Sequence, residues 1–233
     1  MPDVNPHPST LDTLLATDAA LATLLAEAHA RDAGRAAPDP AHDTAHALRV
    51  ATWTLALGGT DVIAREAVAA ALLHDAIEVS KDSPDRPRAS ERSAGQAHER
   101  LRALGFAPDS VERVADAIRD HSFSRGAVPS TRLGRALQDA DRLEALGAIG
   151  LLRCVTTGVR LESAWFDADD PWAEARPLDD ARFSVDHFFT KLLKLPETMC
   201  TEAGRREAER RVAFLREFLA RLGEELGRPA PPA

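Results

Sequence analysis

Tyrosine is absent from the 233-residue chain, so no mechanism can use a tyrosine side chain as an acid or a nucleophile. Cysteine occurs only at Cys154 and Cys200, which excludes a disulfide framework and a cysteine-rich zinc module. Because the N-terminus does not resemble a signal sequence, we expect both cysteines to be reduced thiols in a cytoplasmic protein. No apolar run approaches the roughly 18 residues that a membrane span requires, so no membrane contact is expected.

Basic residues are fewer than acidic ones, 29 against 37, so the formal net charge is −8. Stable binding to nucleic acid depends on basic side chains that face phosphates, so it is not expected, although a local basic pocket is compatible with this balance. Hydrophobic residues make up 44% of the chain and charged residues 28%, which are values typical of folded globular proteins. The composition therefore indicates an ordered protein of one large or two small domains.

Apolar residues recur with the period of an α-helix along most of the chain, and we find no convincing β-strand alternation. We therefore expect an all-α fold, in which Asp43 and Asp61 cap the second and third helices. The pattern predicts a helical extension at 1–36, a core with C-terminal helices at 37–226, and a frayed tail at 227–233. The predicted helices cover about residues 9–30, 43–58, 61–75, 90–104, 108–121, 131–157, 179–195 and 199–226.

Polar side chains interrupt three of the predicted apolar helix faces. His46 and His74 lie on such faces, Asp75 follows His74, and Asp139 and Asp141 lie in a buried stretch of the sixth helix. Buried carboxylates are costly unless they are paired or bind a cation. Two imidazoles and carboxylate oxygens from three helices could together bind one divalent ion, although each histidine could instead be a hydrogen-bonded core residue.

Longer strings around these positions resemble the HD superfamily of metal-dependent phosphohydrolases, and in particular its stand-alone, YedJ-like bacterial branch. The resemblance covers about residues 40–225 and implies an all-α HD-domain helical bundle with additional N- and C-terminal helices. The strings that carry it are HDTAH at 42–46, RV at 49–50, the HD pair at 74–75, KDSP at 81–84, DHSFS at 120–124, QDADRLEALG at 138–147 and HFFTKLLKLP at 187–196.

The same resemblance implies one divalent ion bound by four side chains, namely His46, His74, Asp75 and Asp141. Mixed nitrogen and oxygen ligands suit Mn²⁺, Fe²⁺, Co²⁺, Ni²⁺ or Zn²⁺, and Mg²⁺ is less expected. Asp139 lies two residues before Asp141 and diverges from it by about 200° on a helix, so both cannot easily face one ion. The family pattern assigns the ligand to Asp141.

The implied activity is the hydrolysis of a phosphate ester or anhydride, most commonly of a nucleotide, by a water that the ion activates. Related members include nucleoside triphosphate pyrophosphohydrolases and deoxynucleotidases, and both kinds of activity remain open. The expected partner is a small phosphate substrate, and the chain could form a homo-oligomer.

Five side chains are candidates for catalysis or substrate binding. Asp75 is expected to bind the ion and orient the water, and Glu78 to transfer a proton unless it is only a carboxylate at a helix end. His121 could bind a phosphate or support a metal ligand, the alternative being a histidine that the helix dipole favours. Arg49, one turn after His46, and Lys81 are the expected phosphate-binding side chains.

Two other functions are compatible with the pattern. Some HD proteins bind two metals and act as oxygenases or phosphodiesterases, and these need further histidines before the last aspartate. His98 and His121 lie in that interval, although His98 belongs to a polar helical stretch. The second alternative is a non-catalytic nucleotide-binding protein, against which the presence of all four ligand types argues.

Overall fold

The computed structural model describes residues 8–37, 39–77, 88–122 and 125–229. Within these ranges the structure is helical and has no β-strand, and a single isolated bridge joins Ala164 to Phe183. The predicted all-α class is confirmed. The α-helices are α1 (Pro8–Thr17), α2 (Ala19–Ala33), α3 (Thr44–Gly58), α4 (Ala64–Leu73), α5 (Ala89–Ala103), α6 (Pro108–Asp120), α7 (Arg132–Leu143), α8 (Gly147–Arg160), α9 (Asp186–Thr190) and α10 (Glu202–Leu226).

The chain divides into two compact units between Asp141 and Arg142. In the first unit α4 packs against α2, α3, α5 and α6. Every residue of α4 from Glu66 to Leu73 is buried, and half of them are alanines, whose small side chains let neighbouring helices approach closely. The C-terminal end of α4, where His74 follows, is therefore held from several sides.

The predicted helix over 9–30 is wrong in one respect, because it is two helices. The carboxylate of Asp18 accepts hydrogen bonds from the backbone N–H groups of Ala20 and Leu21 and caps α2. An N-cap residue has extended backbone angles, which end α1 at Thr17. The apolar period continues across this break and therefore conceals it.

The predicted N-cap of the third helix is also wrong. Asp61 belongs to the 3₁₀ helix Gly59–Asp61, and α4 begins after Ile63, which makes no side-chain capping bond. Gly59 has a φ of +58°, which ends α3 and turns the chain into this extra turn. By contrast, Asp43 caps α3 as predicted.

Two helices predicted in the C-terminal part are divided. The stretch 131–157 forms α7 and α8, which separate at Gly147 with its φ of +68°. The stretch 179–195 contains only the short α9, followed by the 3₁₀ helix Leu192–Thr198. Proline interrupts the regular hydrogen bonding there at Pro196, and α10 starts after its N-cap, Thr201.

In the second unit, α10 packs against α8 and the 3₁₀ helix Leu192–Thr198. The buried Asp186 carboxylate accepts two hydrogen bonds from Arg176, at 2.6 and 2.9 Å, which compensates the cost of its burial. Cys154 and Cys200 are thiols and not halves of a disulfide, as expected. None of the helices in the described part of the chain combines the length and the apolar character that crossing a membrane requires.

Candidate metal centre

His46 is placed by two carboxylates that hold the first turn of α3. The Asp43 carboxylate accepts a hydrogen bond from the His46 backbone N–H at 2.8 Å. Asp32, at the end of α2, accepts hydrogen bonds from the N–H and the hydroxyl of Thr44, at 2.7 and 2.5 Å. Carboxylates at a helix N-terminus satisfy its unbonded N–H groups, so this turn is firmly built. The His46 ring is 1% exposed.

His74 is the residue at which α4 ends, and its ring orientation is fixed by the backbone. Nδ1 lies 2.7 Å from the carbonyl oxygen of Ala71. A carbonyl can only accept a hydrogen bond, so Nδ1 carries the proton and Nε2 presents its lone pair. In the part of the chain that the structure describes, this buried Nε2 has no hydrogen-bond partner. A buried lone pair held in this way is typical of a metal-binding histidine.

Two carboxylates meet these imidazoles. Oδ2 of Asp75 lies 3.4 Å from Nε2 of His74. Oδ1 of Asp141 lies 3.5 Å from Nε2 of His46 and 3.9 Å from Nε2 of His74. Ligand atoms of His46, His74 and Asp75 are all within 4.8 Å of one another. Two ligands of one ion are separated by at most about 4.4 Å when each bond is about 2.2 Å, so the separations of 3.4, 3.5 and 3.9 Å are compatible with a single divalent ion.

The two segments that carry the carboxylates are anchored close to them. After Asp75, the backbone N–H of Ile77 donates to the hydroxyl of the buried Ser93 on α5. On α7, the side-chain amide of Gln138 donates to the carbonyl oxygens of Asp120 and Ala127, at 3.1 and 3.0 Å. These bonds attach α7 to the end of α6 and the segment that follows it.

Both carboxylates are ionised at neutral pH. Burial raises the pKa of Asp75, but the neighbouring imidazoles, above all His74 and His121, lower it further, so the net pKa is well below its usual range. Burial likewise raises the pKa of Asp141, and the electrostatic influence of His74 and His46 outweighs this effect and lowers it. The site therefore combines imidazole nitrogens with negative carboxylate oxygens, a set that fits a divalent cation.

His121 adjoins this group at the end of α6. Its Nδ1 lies 2.6 Å from the carbonyl oxygen of Ile118, so its Nε2 also presents a lone pair. That Nε2 lies 3.9 Å from Oδ1 of Asp75, and the His121 and His74 ring centroids are 5.1 Å apart. Burial, with a further contribution from His74, lowers the pKa of His121 below 6.5. The imidazole is therefore neutral at pH 7.

The other predicted site residues are not all in this group. Glu78 and Lys81 lie outside the described residues. Arg49 lies half-buried on α3, one turn after His46. His98, considered for a second metal, instead has its Nε2 within hydrogen-bond distance of Oε1 of Glu112, at 2.9 Å.

A small cavity opens beside the centre, and its wall includes residues that the sequence did not point to. His46, His74 and Asp75 line it, and so do Arg31 and Arg35 from α2 and the residues just after it. The sequence predicts that this segment belongs to an N-terminal extension, because the Gly- and Pro-containing stretch after it resembles a linker. The only signal in the sequence was a pair of arginines one helical turn apart.

Comparisons with known proteins show to which family the chain is related. Residues 44–146 match the family model described as HD domain. YpgQ of Bacillus subtilis (strain 168) is 32% identical over 193 residues, which span 79% of this chain and 84% of that protein. A crystal structure of B. subtilis YpgQ in complex with ADP has a TM-score of 0.68 at 25% identity and covers 88% of this chain and 94% of its own.

An HD-superfamily hydrolase from Bacillus thuringiensis is similar to the same extent, with a TM-score of 0.66, 26% identity and coverage of 89% of this chain and 96% of its own. A predicted HD superfamily hydrolase from an uncultured Thermotogales bacterium has a TM-score of 0.61 at 28% identity, and covers 92% of this chain and 98% of its own. The match to the family model, the relative and the shared fold lead to one conclusion: this chain belongs to the HD-domain superfamily of metal-dependent hydrolases.

Proposed function

We propose that this protein is a metal-dependent phosphohydrolase that acts on a nucleotide or a similar phosphate ester or anhydride. The observation that carries the proposal is the convergence of His46, His74, Asp75 and Asp141, from three segments of the chain, around one point. The complex of the relative YpgQ with ADP supports a nucleotide as the substrate.

The four side chains would bind one divalent ion, for which Mn²⁺, Fe²⁺, Co²⁺, Ni²⁺ and Zn²⁺ are the candidates that suit two imidazoles and two carboxylates. When bound, such an ion polarises a phosphoryl oxygen and lowers the pKa of a coordinated water. The Nδ1–H bond from His74 to the Ala71 carbonyl holds the ring in the tautomer that binds a cation. Asp75 and Asp141 supply the negative charge that keeps a cation in a buried site.

Asp75 and His121 are the residues that we assign to handling the attacking water. Oδ1 of Asp75 faces Nε2 of His121 at 3.9 Å, a separation short enough for one water to hydrogen-bond both atoms. Because Nδ1 of His121 donates to Ile118, the neutral ring can only accept at Nε2. We therefore propose that His121 accepts a proton or a hydrogen bond from the water, and does not donate to the phosphate.

Positive side chains must neutralise the phosphate oxygens during attack in line on phosphorus. Arg49 projects from α3 one turn after His46, and we retain it and Lys81 as proposed phosphate-binding residues. Glu78 is retained as a proposed proton-transfer residue, three positions after Asp75. These assignments follow from the positions of the three residues relative to His46, His74 and Asp75 in the chain.

A hydrolysis screen tests the proposal. Chelator-treated protein would be supplied with each candidate ion and with nucleoside tri-, di- and monophosphates and p-nitrophenyl phosphate, and the release of phosphate or pyrophosphate would be measured. We expect hydrolysis of at least one nucleotide only when a divalent ion is present. Asp141→Asn should abolish it, whereas Asp12→Asn, at an exposed site on α1, should not. Nucleotide binding without hydrolysis under any condition would refute the enzyme assignment and favour a nucleotide-binding protein.

A further inference from the structure

The wall of the cavity includes an arginine that the family match does not cover. Arg31 lies on α2, half-buried, and lines the same cavity as His46, His74 and Asp75. Its Nη2 donates to the carbonyl oxygen of Leu72 at 3.2 Å, which orients the guanidinium beside the end of α4. A guanidinium has five N–H donors, so this bond leaves most of them available.

Arg31 differs from other arginines that contact α2 or its flanks. Arg100 is paired with Glu27, and Arg65 with Asp18. For Arg31, no carboxylate of the described ranges lies within ion-pair distance. The nearby Asp32 is already engaged, because it accepts hydrogen bonds from Thr44 and Arg35.

Burial makes this arrangement costly in the absence of an anion. Desolvation lowers the pKa of Arg31, and the charges of Asp32 and Glu27 only partly oppose it. The guanidinium nevertheless stays charged at neutral pH. A half-buried cation with free N–H donors, facing a cavity, is suited to bind an anion, and a guanidinium matches the geometry of phosphate oxygens.

We propose that Arg31 binds a phosphate group of the nucleotide substrate in the cavity beside the metal centre. The inference rests on the proposed function for the identity of the substrate. It assigns to α2, which precedes the segment that matches the HD domain, a direct part in substrate binding. It also supplies a positive side chain to a cavity that is lined by three residues of the metal centre, one of which is the anionic Asp75.

Ligand affinity in the full-length, Mn²⁺-loaded protein tests this assignment. The probes are α,β-methylene-ADP, which lacks the hydrolysable anhydride bond, and adenosine, which lacks phosphate. We expect Arg31→Gln to weaken binding of α,β-methylene-ADP about tenfold or more and to leave adenosine and Mn²⁺ affinity unchanged. Arg31→Lys, which keeps the charge but not the planar donor pair, should bind with intermediate affinity. Arg100→Gln is the matched control, since it removes an arginine that contacts α2 outside the cavity, and it should bind like the wild type.

A purely structural role of Arg31 at the end of α4 predicts a different result. In that case Arg31→Gln would lower the melting temperature but bind α,β-methylene-ADP as the wild type does, or would weaken both probes equally, and either result overturns the proposal. If Arg31→Gln does not fold, Arg31→Lys decides: wild-type affinity for α,β-methylene-ADP contradicts the assignment. These affinities can be measured without turnover. If the wild type binds α,β-methylene-ADP but hydrolyses no nucleotide, the proposed function is refuted and the role of Arg31 in binding is not. If the wild type binds α,β-methylene-ADP no more tightly than adenosine, the inference is refuted.

Discussion

Nε2 of His46 lies 3.5 Å from Oδ1 of Asp141, although the two residues belong to α3 and α7. They stand near opposite ends of the segment that matches the HD domain, residues 44–146. The contact therefore exists only when α3 and α7 are both in place, so the centre can form only when the first unit is folded. The predictions below separate the chemistry of this centre from the stability of the helices that build it.

The first prediction concerns His121. His121→Asn retains an N–H donor for the Ile118 carbonyl but lacks an acceptor at the position of Nε2. We expect kcat to fall by about 10² or more, the usual contribution of one acid–base group, with metal content unchanged. Burial lowers the pKa of His121 below 6.5. Protonation of His121 should therefore decrease the wild-type kcat only when the pH falls below 6.5. A variant within about threefold of the wild-type kcat would refute the assigned role.

Glu78 and Arg49 are predicted to affect different kinetic constants. Glu78→Ala should lower kcat by about 10²–10⁴ and leave metal and substrate affinity in place, because a proton-transfer group acts in the transition state. Arg49→Ala should instead raise KM, because it removes a charge that binds phosphate in the ground state as well. Steady-state kinetics on the substrate found in the screen distinguish the two. An unchanged kcat in Glu78→Ala, where chemistry limits the rate, would identify this residue as a carboxylate without a part in proton transfer.

The bond between α2 and α3 should make stability depend on pH. Burial raises the pKa of Asp32, but the Thr44 hydrogen bonds and the charge of Arg35 outweigh this effect, and the net pKa is below 3.8. A carboxyl whose pKa is lower in the folded state stabilises it fully above about pH 3.8, and this contribution is lost as the pH falls through the folded-state value. Asp32→Asn should therefore destabilise the protein by about 1–3 kcal/mol at pH 7, and by less in acid. Urea unfolding measures this, and the exposed Asp12→Asn should stay within about 0.5 kcal/mol of the wild type. This account would be contradicted if the difference in the free energy of unfolding between wild type and Asp32→Asn did not change with pH.

Two glycines should respond to alanine in opposite directions. Gly147 has a φ of +68°, and a Cβ there would lie 3.2 Å from Cγ of Arg211. Gly147→Ala should destabilise the protein by about 1–2 kcal/mol, because an L side chain is strained in left-handed backbone. Gly95 lies inside α5 with nothing within 4 Å of an added Cβ, so Gly95→Ala should stabilise by about 0.5–1 kcal/mol. Thermal unfolding compares the two, and equal effects would show that the break at Gly147 does not depend on its backbone angle.

The helices with clear chemical signals at their ends were predictable from the sequence. Asp43 caps α3, and Pro108 stands in the first turn of α6. The three interrupted apolar faces indicated that His46, His74 and an aspartate of the sixth predicted helix could meet, and the resemblance to the HD superfamily assigned that aspartate as Asp141. These features are local or periodic, and both kinds can be read along the chain.

Other features depend on a single backbone angle or on a contact between distant segments. The break at Gly147 lies within the stretch 131–157, which as a whole contains many Ala and Leu residues that favour helix, so composition does not reveal it. Asp18 caps α2 from within a continuous apolar period. The place of Arg31 beside the centre follows from the hydrogen bonds between Asp32 and Thr44, which join α2 to α3 and have no periodic signature.

The central claim is that four side chains bind one divalent ion, and a metal titration tests it most directly. Mn²⁺ would be titrated into chelator-treated wild type and into His46→Ala, His74→Ala and Asp141→Ala, with circular dichroism to confirm that each remains helical. His98→Ala, which removes an imidazole that pairs with Glu112, is the control. We predict one ion per chain in the wild type and in His98→Ala, and loss of binding in the three ligand variants. Full occupancy in all three variants, or two ions per wild-type chain, would contradict the account.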